Sequence, residues 1–154
     1  MSADTRLDAL PTAWNFASTF DLDPIERVRL IKQGAPATVP GVMARRMGVS
    51  KERLYATLGL PRATVERKAS QAQLLSPDES ARVLGISRLI GQVQRMVEAS
   101  GQTDGFDAAG WVARWLERPL PALDGLAPAT LMDTSEGQQL VANLLSRAQT
   151  GAYA

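Results

Sequence analysis

The hydrophobic positions of the chain recur at helical spacing and do not alternate as they would in a strand. After residue 76, apolar side chains return every three or four positions as far as Glu98, as on the buried face of one long helix. Helix starts are marked as well. Asp23-Pro24-Ile25-Glu26 and Ser76-Pro77-Asp78-Glu79 each place a capping residue before a proline and a carboxylate three positions later. The pattern therefore predicts an all-α fold.

Glycine, proline and small polar residues separate the predicted helices. The helices run from Asp23 to Gly34, from Val42 to Met47, from Lys51 to Leu58, from Arg62 to Ala69, from Ser76 to Glu98, from Asp107 to Arg118 and from Asp133 to Gly151. We divide the chain into an N-terminal arm (1–22), a first helical domain (23–75) and a second (76–154). The arm is apolar enough to pack, either on a dimer partner or on the protein's own core.

One part of the first domain meets the needs of a helix-turn-helix in two overlapping registers. That motif requires a small residue where its helices touch, a glycine in the tight turn and an apolar anchor in the second helix. In the first register these are Ala44, Gly48 and Leu54. The reading helix then starts at Ser50 and carries Lys51 and Arg53 on its outer face.

In the second register Gly59 is the turn and Val65 the anchor, so the reading helix runs from Arg62 to Ala69. Its outward positions carry residue types that bind phosphates and base edges, and we expect all four to be exposed: Arg62, Thr64, Arg67 and Lys68. We favour this second register for DNA reading, with the first helix pair as its brace. The basic residues of that brace complete the candidate DNA-binding set: Lys51, Arg53, Arg45 and Arg46.

The charges of the chain are unevenly distributed. Residues 27–68 hold ten lysines and arginines against two glutamates, whereas the residues that follow hold six arginines and nine acids. The formal net charge of +1 therefore hides a basic middle and an acidic C-terminal half. A basic run is often a solvated helix face. Combined with two helix-turn-helix registers, however, it predicts a DNA-binding module joined to something else.

The composition excludes most catalytic chemistry. The chain contains no histidine and no cysteine, which rules out histidine-based triads, thiol nucleophiles, Cys/His zinc sites and disulfides. Its paired acids sit at predicted helix starts, where capping explains them: Asp21 and Asp23, Asp78 and Glu79, and Asp133 and Glu136. We therefore predict no enzymatic activity, no catalytic residue, no metal and no cofactor. No apolar run approaches the ~20 residues of a membrane span, and no secretory signal opens the chain, so we expect a cytoplasmic protein.

The segment WLERPLPALDGLAPATLMDTSEG (115–137) resembles the signature of the Xre/MbcA/ParS toxin-binding domain. The shared features are a Trp-Leu pair, spaced prolines, a leucine followed by glycine, and a Thr-x-x-Gly that opens the last helix. The match continues through Val141, Leu145 and Arg147. Upstream, the Leu-Gly-Leu-x-x-x-Thr-Val-x-Arg stretch (58–67) is similar to the Cro/Xre-like helix-turn-helix that accompanies this domain.

The resemblance implies an antitoxin, most like the Xre partner of RES-type toxins, which resemble ADP-ribosyltransferases and consume NAD. It implies that the C-terminal domain obstructs the toxin's active site and that the helix-turn-helix represses the antitoxin's own operon as a homodimer. Pairing two half-sites would also supply affinity that one reading helix lacks. The implied toxin contacts lie at the C-terminal end: Arg147, Thr150, Gly151, Ala152, Tyr153 and Ala154. With so few residues after Gly151, any tail that enters the toxin is short.

A second hypothesis is a helix-turn-helix regulator whose C-terminal half binds a small molecule or another protein. A toxin gene beside this one would separate the two hypotheses.

Overall fold

The computed structural model of the protein describes residues 14–101 and 104–150. Eight α-helices lie within them: α1 (Phe16–Asp21), α2 (Pro24–Gln33), α3 (Val39–Met47), α4 (Lys51–Leu58), α5 (Arg62–Ser70), α6 (Pro77–Ala99), α7 (Ala108–Trp115) and α8 (Ser135–Thr150). Two short 3-10 helices, Pro121–Leu123 and Pro128–Leu131, connect α7 to α8. The described residues form no β-strand, and the predicted all-α fold is confirmed.

The helix starts follow the capping chemistry of the sequence. Asp23 and Ser76 both form complete capping boxes, in which the cap side chain and the carboxylate three positions later bond reciprocally to backbone N–H groups. The predicted start of α3 at Val42 was wrong, since α3 begins at Val39. Pro40 lies in its first turn, where a missing N–H costs nothing, so it belongs to the helix and not to the connector.

The long helix α6 is the centre of the molecule. It packs against α1, α2, α3, α7 and α8. Its residues Val83, Ile86 and Ile90 are fully buried. Around them, a single hydrophobic core extends from Trp14 to Leu145. Both halves of the chain therefore share one core along α6.

The part of the N-terminal arm that the structure describes packs on α6 of the same chain. The indole of Trp14 donates a hydrogen bond to Ser87 Oγ (2.8 Å), which is also 2.7 Å from Thr19 Oγ1. Gly91 allows α1 to approach, because a Cβ there would collide with the carbonyl oxygen of Phe16. The possible dimer contact of residues 1–13 lies outside the described residues.

Candidate nucleic-acid interface and toxin-binding region

Both predicted helix-turn-helix turns form. Gly48 ends α3 and Gly59 ends α4, each with the positive φ that glycine adopts without strain (73° and 65°). Ala44, Leu54 and Val65, the predicted contact and anchor residues, are buried. Both registers therefore have the glycine turn and the buried anchor that they require.

The two turns have very different surroundings. Nothing lies within 4 Å of the position that a Cβ of Gly48 would occupy. The equivalent position at Gly59 is 3.2 Å from both Arg82 Nη1 and Asp133 Cβ. Arg82, on α6, also donates hydrogen bonds to the carbonyl oxygens of Leu58 (3.1 Å) and Gly59 (2.6 Å). Both glycines are exposed, but α6 and the segment before α8 contact the second turn, whereas the space beside the first is open.

The four outward residues predicted for α5 are not all exposed. Arg62 and Arg67 are, but Thr64 and Lys68 are partly buried. The expected exposure of Lys68 was wrong because its ammonium lies 3.0 Å from Glu79 Oε1, with only 19% of the Lys68 side chain accessible. Burial alone would raise the pKa of Glu79. Hydrogen bonds from the backbone N–H of Ser76 and from Lys68 outweigh that effect and lower it. The ion pair between Lys68 and Glu79 therefore links α5 to α6.

The basic residues around the first turn are exposed, and most already have partners. Lys51 pairs with Glu66 (3.1 Å), which also lies 3.6 Å from the exposed Arg62. The hydrogen bond from Lys51 is the main reason that the pKa of Glu66 is lowered. Arg45 is exposed and makes no ion pair with any described residue. Arg46 instead braces the arm, since its guanidinium stacks 4.3 Å from the ring centre of Phe16 and donates to the carbonyl oxygen of Trp14.

A cleft of about 730 Å³ separates the first turn from α7. Arg45 and Arg53 line one side, and Arg114 of α7 lines the other together with Glu117. Arg53 and Glu117 form an ion pair across the cleft with a separation of 2.7 Å. Sequence reasoning missed Arg114 and Glu117 because both belong to the other half of the chain. Only the packing of α3 against α7 brings them beside the helix-turn-helix.

The residues of the toxin-binding signature build a compact helical corner. The Thr-x-x-Gly element caps α8, since Thr134 Oγ1 accepts a hydrogen bond from the N–H of Gly137 (3.0 Å). Gly137 must be small because a Cβ there would collide with the carbonyl oxygen of Leu131. The N–H of Ala129 donates to the carbonyl oxygen of Leu116 (2.8 Å), which fixes the 3-10 connection on α7. Most of the signature is therefore structural.

The same corner contains two half-buried tryptophans that pack against the core. Trp111 and Trp115 stack with ring centres 6.0 Å apart and planes inclined by 12°. Arg147 is exposed in the last turn of α8, and Thr150 ends that helix. Gly151, Ala152, Tyr153 and Ala154 lie outside the described residues, so the contacts implied for them stay a prediction.

Comparison with known proteins agrees with this architecture. Residues 26–88 match the antitoxin Xre-like helix-turn-helix domain, and residues 104–151 match the antitoxin Xre/MbcA/ParS C-terminal toxin-binding domain. The chain is also 42% identical over 139 residues to a Prs ADP-ribosylating antitoxin from Sphingobium sp. (strain YBL2), covering 90% of this chain and 87% of that protein.

The fold and the family matches together define the class of protein: it is an antitoxin with a helix-turn-helix domain followed by a toxin-binding domain. The chain belongs to the Xre antitoxin family, and the resemblance identified in the sequence is confirmed. No helix in the described part of the chain is long and apolar enough to cross a membrane. Nor does any group of three or more acidic side chains within residues 14–101 and 104–150 form a candidate metal site.

Proposed function

We propose that this antitoxin neutralises a RES-type toxin that consumes NAD, and that it represses its own operon by binding DNA as a homodimer. The observation that carries the proposal is the toxin-binding match of residues 104–151 together with the 42% identical relative, whose name links an antitoxin to ADP-ribosylation of Prs. ADP-ribosyl transfer takes its ADP-ribose from NAD, which is the substrate that the sequence resemblance implies. The antitoxin itself acts by binding and has no catalytic role.

For DNA reading we propose α4, not the α5 that we favoured from the sequence. A reading helix must bring its N-terminal residues against base edges while the preceding turn approaches the backbone. The open turn at Gly48 leaves the start of α4 free, with Lys51 and Arg53 exposed. Arg82 and Asp133 instead contact the turn at Gly59, and these contacts would restrict the approach of DNA to the start of α5.

Arg45 and Arg114 extend this interface beyond the reading helix. Both line the cleft beside the first turn, and guanidinium groups there would contact phosphates on either side of the groove. Because one reading helix covers only a few base pairs, we propose that two copies bind half-sites about 34 Å apart.

Truncation after Gln149 separates the two activities. We expect the shortened protein to bind operator DNA with unchanged affinity, because the proposed reading helix is far from the truncation in sequence and belongs to the other matched domain. Its protection of cells against the toxin should fall, since the proposed tail contacts, from Thr150 to Ala154, are lost. Calorimetric titration with a catalytically inactive toxin and a DNA-binding assay at fixed salt would measure both effects.

The control for this truncation is Tyr153→Ala in the full chain, which keeps the terminal length and removes only the candidate ring. Full neutralisation by the truncated protein would show that the tail is dispensable and would move the inhibitory contact to the surface of α7 and the 3-10 connection. If the intact antitoxin bound no toxin at all, the alternative of a regulator that senses a small molecule or another protein would take its place.

A further inference from the structure

A second cleft, of about 350 Å³, opens between α2, α6 and α8. Its walls combine a few apolar side chains with several that donate hydrogen bonds: Arg27, Arg88, Gln92, Gln139, Asn143 and Ser146. None of the described residues that line it is an aspartate or a glutamate. Two guanidinium groups therefore face this cleft without a carboxylate among its lining residues.

Arg88 differs from the other arginines of its helix. Arg82 pairs with Asp78, and Arg95 pairs with Asp21 and Glu98. Arg88 forms no hydrogen bond or ion pair with any described residue, and its Nε is buried without a partner. Burial, and next the positive charge of Arg27, lower its pKa.

Such an arginine is costly for the free protein. The half-buried Arg88 loses part of its hydration, and the like charge of Arg27 beside it adds repulsion, so an apolar side chain of similar length would be more stable at this position. The cost is offset when an anion enters. A planar guanidinium holds a carboxylate through two parallel hydrogen bonds, and a second arginine strengthens the attraction.

We propose that this cleft binds a carboxylate side chain of the toxin, with Arg88 and Arg27 as its two cationic contacts. The inference rests on the proposed function. Ser135, Gln139, Asn143 and Ser146 of α8 form one wall, and α8 lies within the match to the toxin-binding domain. The cleft contains no residue of α3, α4 or α5, so DNA bound at the helix-turn-helix is not its occupant.

The consequence is that toxin contacts are not confined to the C-terminal domain. Arg27 lies in α2, within the match to the helix-turn-helix domain, and Arg88 is the last residue of that match. A toxin carboxylate held between them and α8 would touch both matched domains at once.

The test is Arg88→Met in the full-length antitoxin, with Arg95→Met as the matched change on the same helix. We expect Arg88→Met to weaken binding to catalytically inactive toxin roughly thirty-fold or more, the usual effect of removing one partner of a buried charge pair. Its melting temperature without toxin should stay the same or rise, because a half-buried charge that has no partner among the described residues has been removed. Operator affinity should not change. Arg95→Met should leave toxin affinity within about two-fold of wild type, since single rim charges contribute little.

Three outcomes would overturn the inference. Equal toxin binding by the wild-type and Arg88→Met proteins would refute the role of this cleft but not the proposed function. A wild-type protein that bound no toxin would refute both. Loss of operator affinity with toxin affinity retained would assign the cleft to a DNA phosphate. If Arg88→Met failed to fold, Arg27→Met would replace it, with the exposed Arg29→Met as its control, and the same toxin titration would decide.

A charge exchange would identify the toxin residue. Arg88→Glu should abolish measurable binding to wild-type toxin, and one toxin variant that replaces an aspartate or glutamate with arginine should restore it. Failure of every acidic position on the toxin surface to restore binding would contradict a carboxylate ligand.

Discussion

The turns at Gly48 and Gly59 contain the same local chemistry in different surroundings. Each is a left-handed glycine that follows a short helix and precedes another, and each is paired with a buried anchor. Nothing lies within 4 Å of a Cβ placed on Gly48, whereas Arg82 and Asp133 contact the turn at Gly59. Turn chemistry therefore determines where a helix-turn-helix can form, while tertiary contacts determine how much space is left beside each turn.

The largest difference between the turns should appear in stability. Gly59→Ala should lower the free energy of unfolding by about 2–4 kcal/mol, because a left-handed backbone with a Cβ costs about 1–2 kcal/mol and crowding against Asp133 and Arg82 adds a similar amount. Gly48→Ala should cost only the first of these, about 1–2 kcal/mol. Urea denaturation of both variants measures the difference in the free energy of unfolding. Equal losses of stability would mean that Arg82 and Asp133 move away from the new Cβ at no cost.

The next largest effect is on DNA affinity. Arg53→Ala, on α4, should weaken operator binding by about 1–3 kcal/mol if its guanidinium reaches a base, whereas Arg67→Ala, on α5, should change it by less than about 0.5 kcal/mol. Both residues are exposed arginines, so each variant is the control for the other. Affinities measured at one salt concentration decide between the registers. The reverse order of effects would restore α5 as the reading helix.

The attachment of α5 to α6 should depend on pH. Glu79→Gln keeps a side-chain oxygen that can accept the cap hydrogen bond from Ser76 but removes the negative charge that pairs with Lys68. The substitution should lower the free energy of unfolding by about 1–2 kcal/mol at pH 7. The pKa of Glu79 is lowered from its ordinary value of 4.5 in the folded protein, so its contribution is complete above that pH.

As the pH falls through this lowered pKa, the wild-type protein should lose the contribution of Glu79, and the two melting temperatures should converge. Melting curves recorded between pH 7 and strongly acidic pH test this convergence. A difference that stayed constant over the whole range would indicate that the charge of Glu79 contributes nothing.

The smallest expected effect is a gain in operator affinity, whereas the changes above weaken binding or stability. Glu117→Gln releases Arg53 from its ion pair and removes a negative charge beside the first turn. Exposed pairs contribute at most about 1 kcal/mol, so operator binding should become tighter by up to about five-fold at low salt, with the gain shrinking as salt is added. Asp124→Asn, a neutralisation outside the cleft, is the matched control. Weaker binding by Glu117→Gln would show that the ion pair positions Arg53 for DNA.

Local chemistry was well predicted from the sequence because it depends on neighbouring residues. Caps at Asp23 and Ser76 and glycine stops at Gly48 and Gly59 act within a few positions of themselves. The start of α3 was predicted too late because a proline such as Pro40 occurs both in connecting segments and in the first turn of a helix. The sequence around Pro40 does not distinguish these two positions.

What could not be predicted depends on contacts between distant parts of the chain. Arg82 and Asp133 contact the turn at Gly59, and Glu117 forms the ion pair with Arg53. Arg88 is as inconspicuous in the sequence as Arg82, and only the placement of α2 and α8 leaves it unpaired. Side-chain periodicity identifies the face that a helix buries, but the identity of its neighbours requires the tertiary structure.

The shared core along α6 also bears on the lifetime of the antitoxin in the cell. Because Val83, Ile86 and Ile90 belong to one core with side chains from both matched domains, the described residues show no boundary at which one half could unfold alone. A partner that binds only the folded state then protects the whole chain, by about 2.7 kcal/mol when present at one hundred times its dissociation constant. Proteases that attack the unfolded chain would spare the complexed antitoxin, its helix-turn-helix domain included, and clear the free form first.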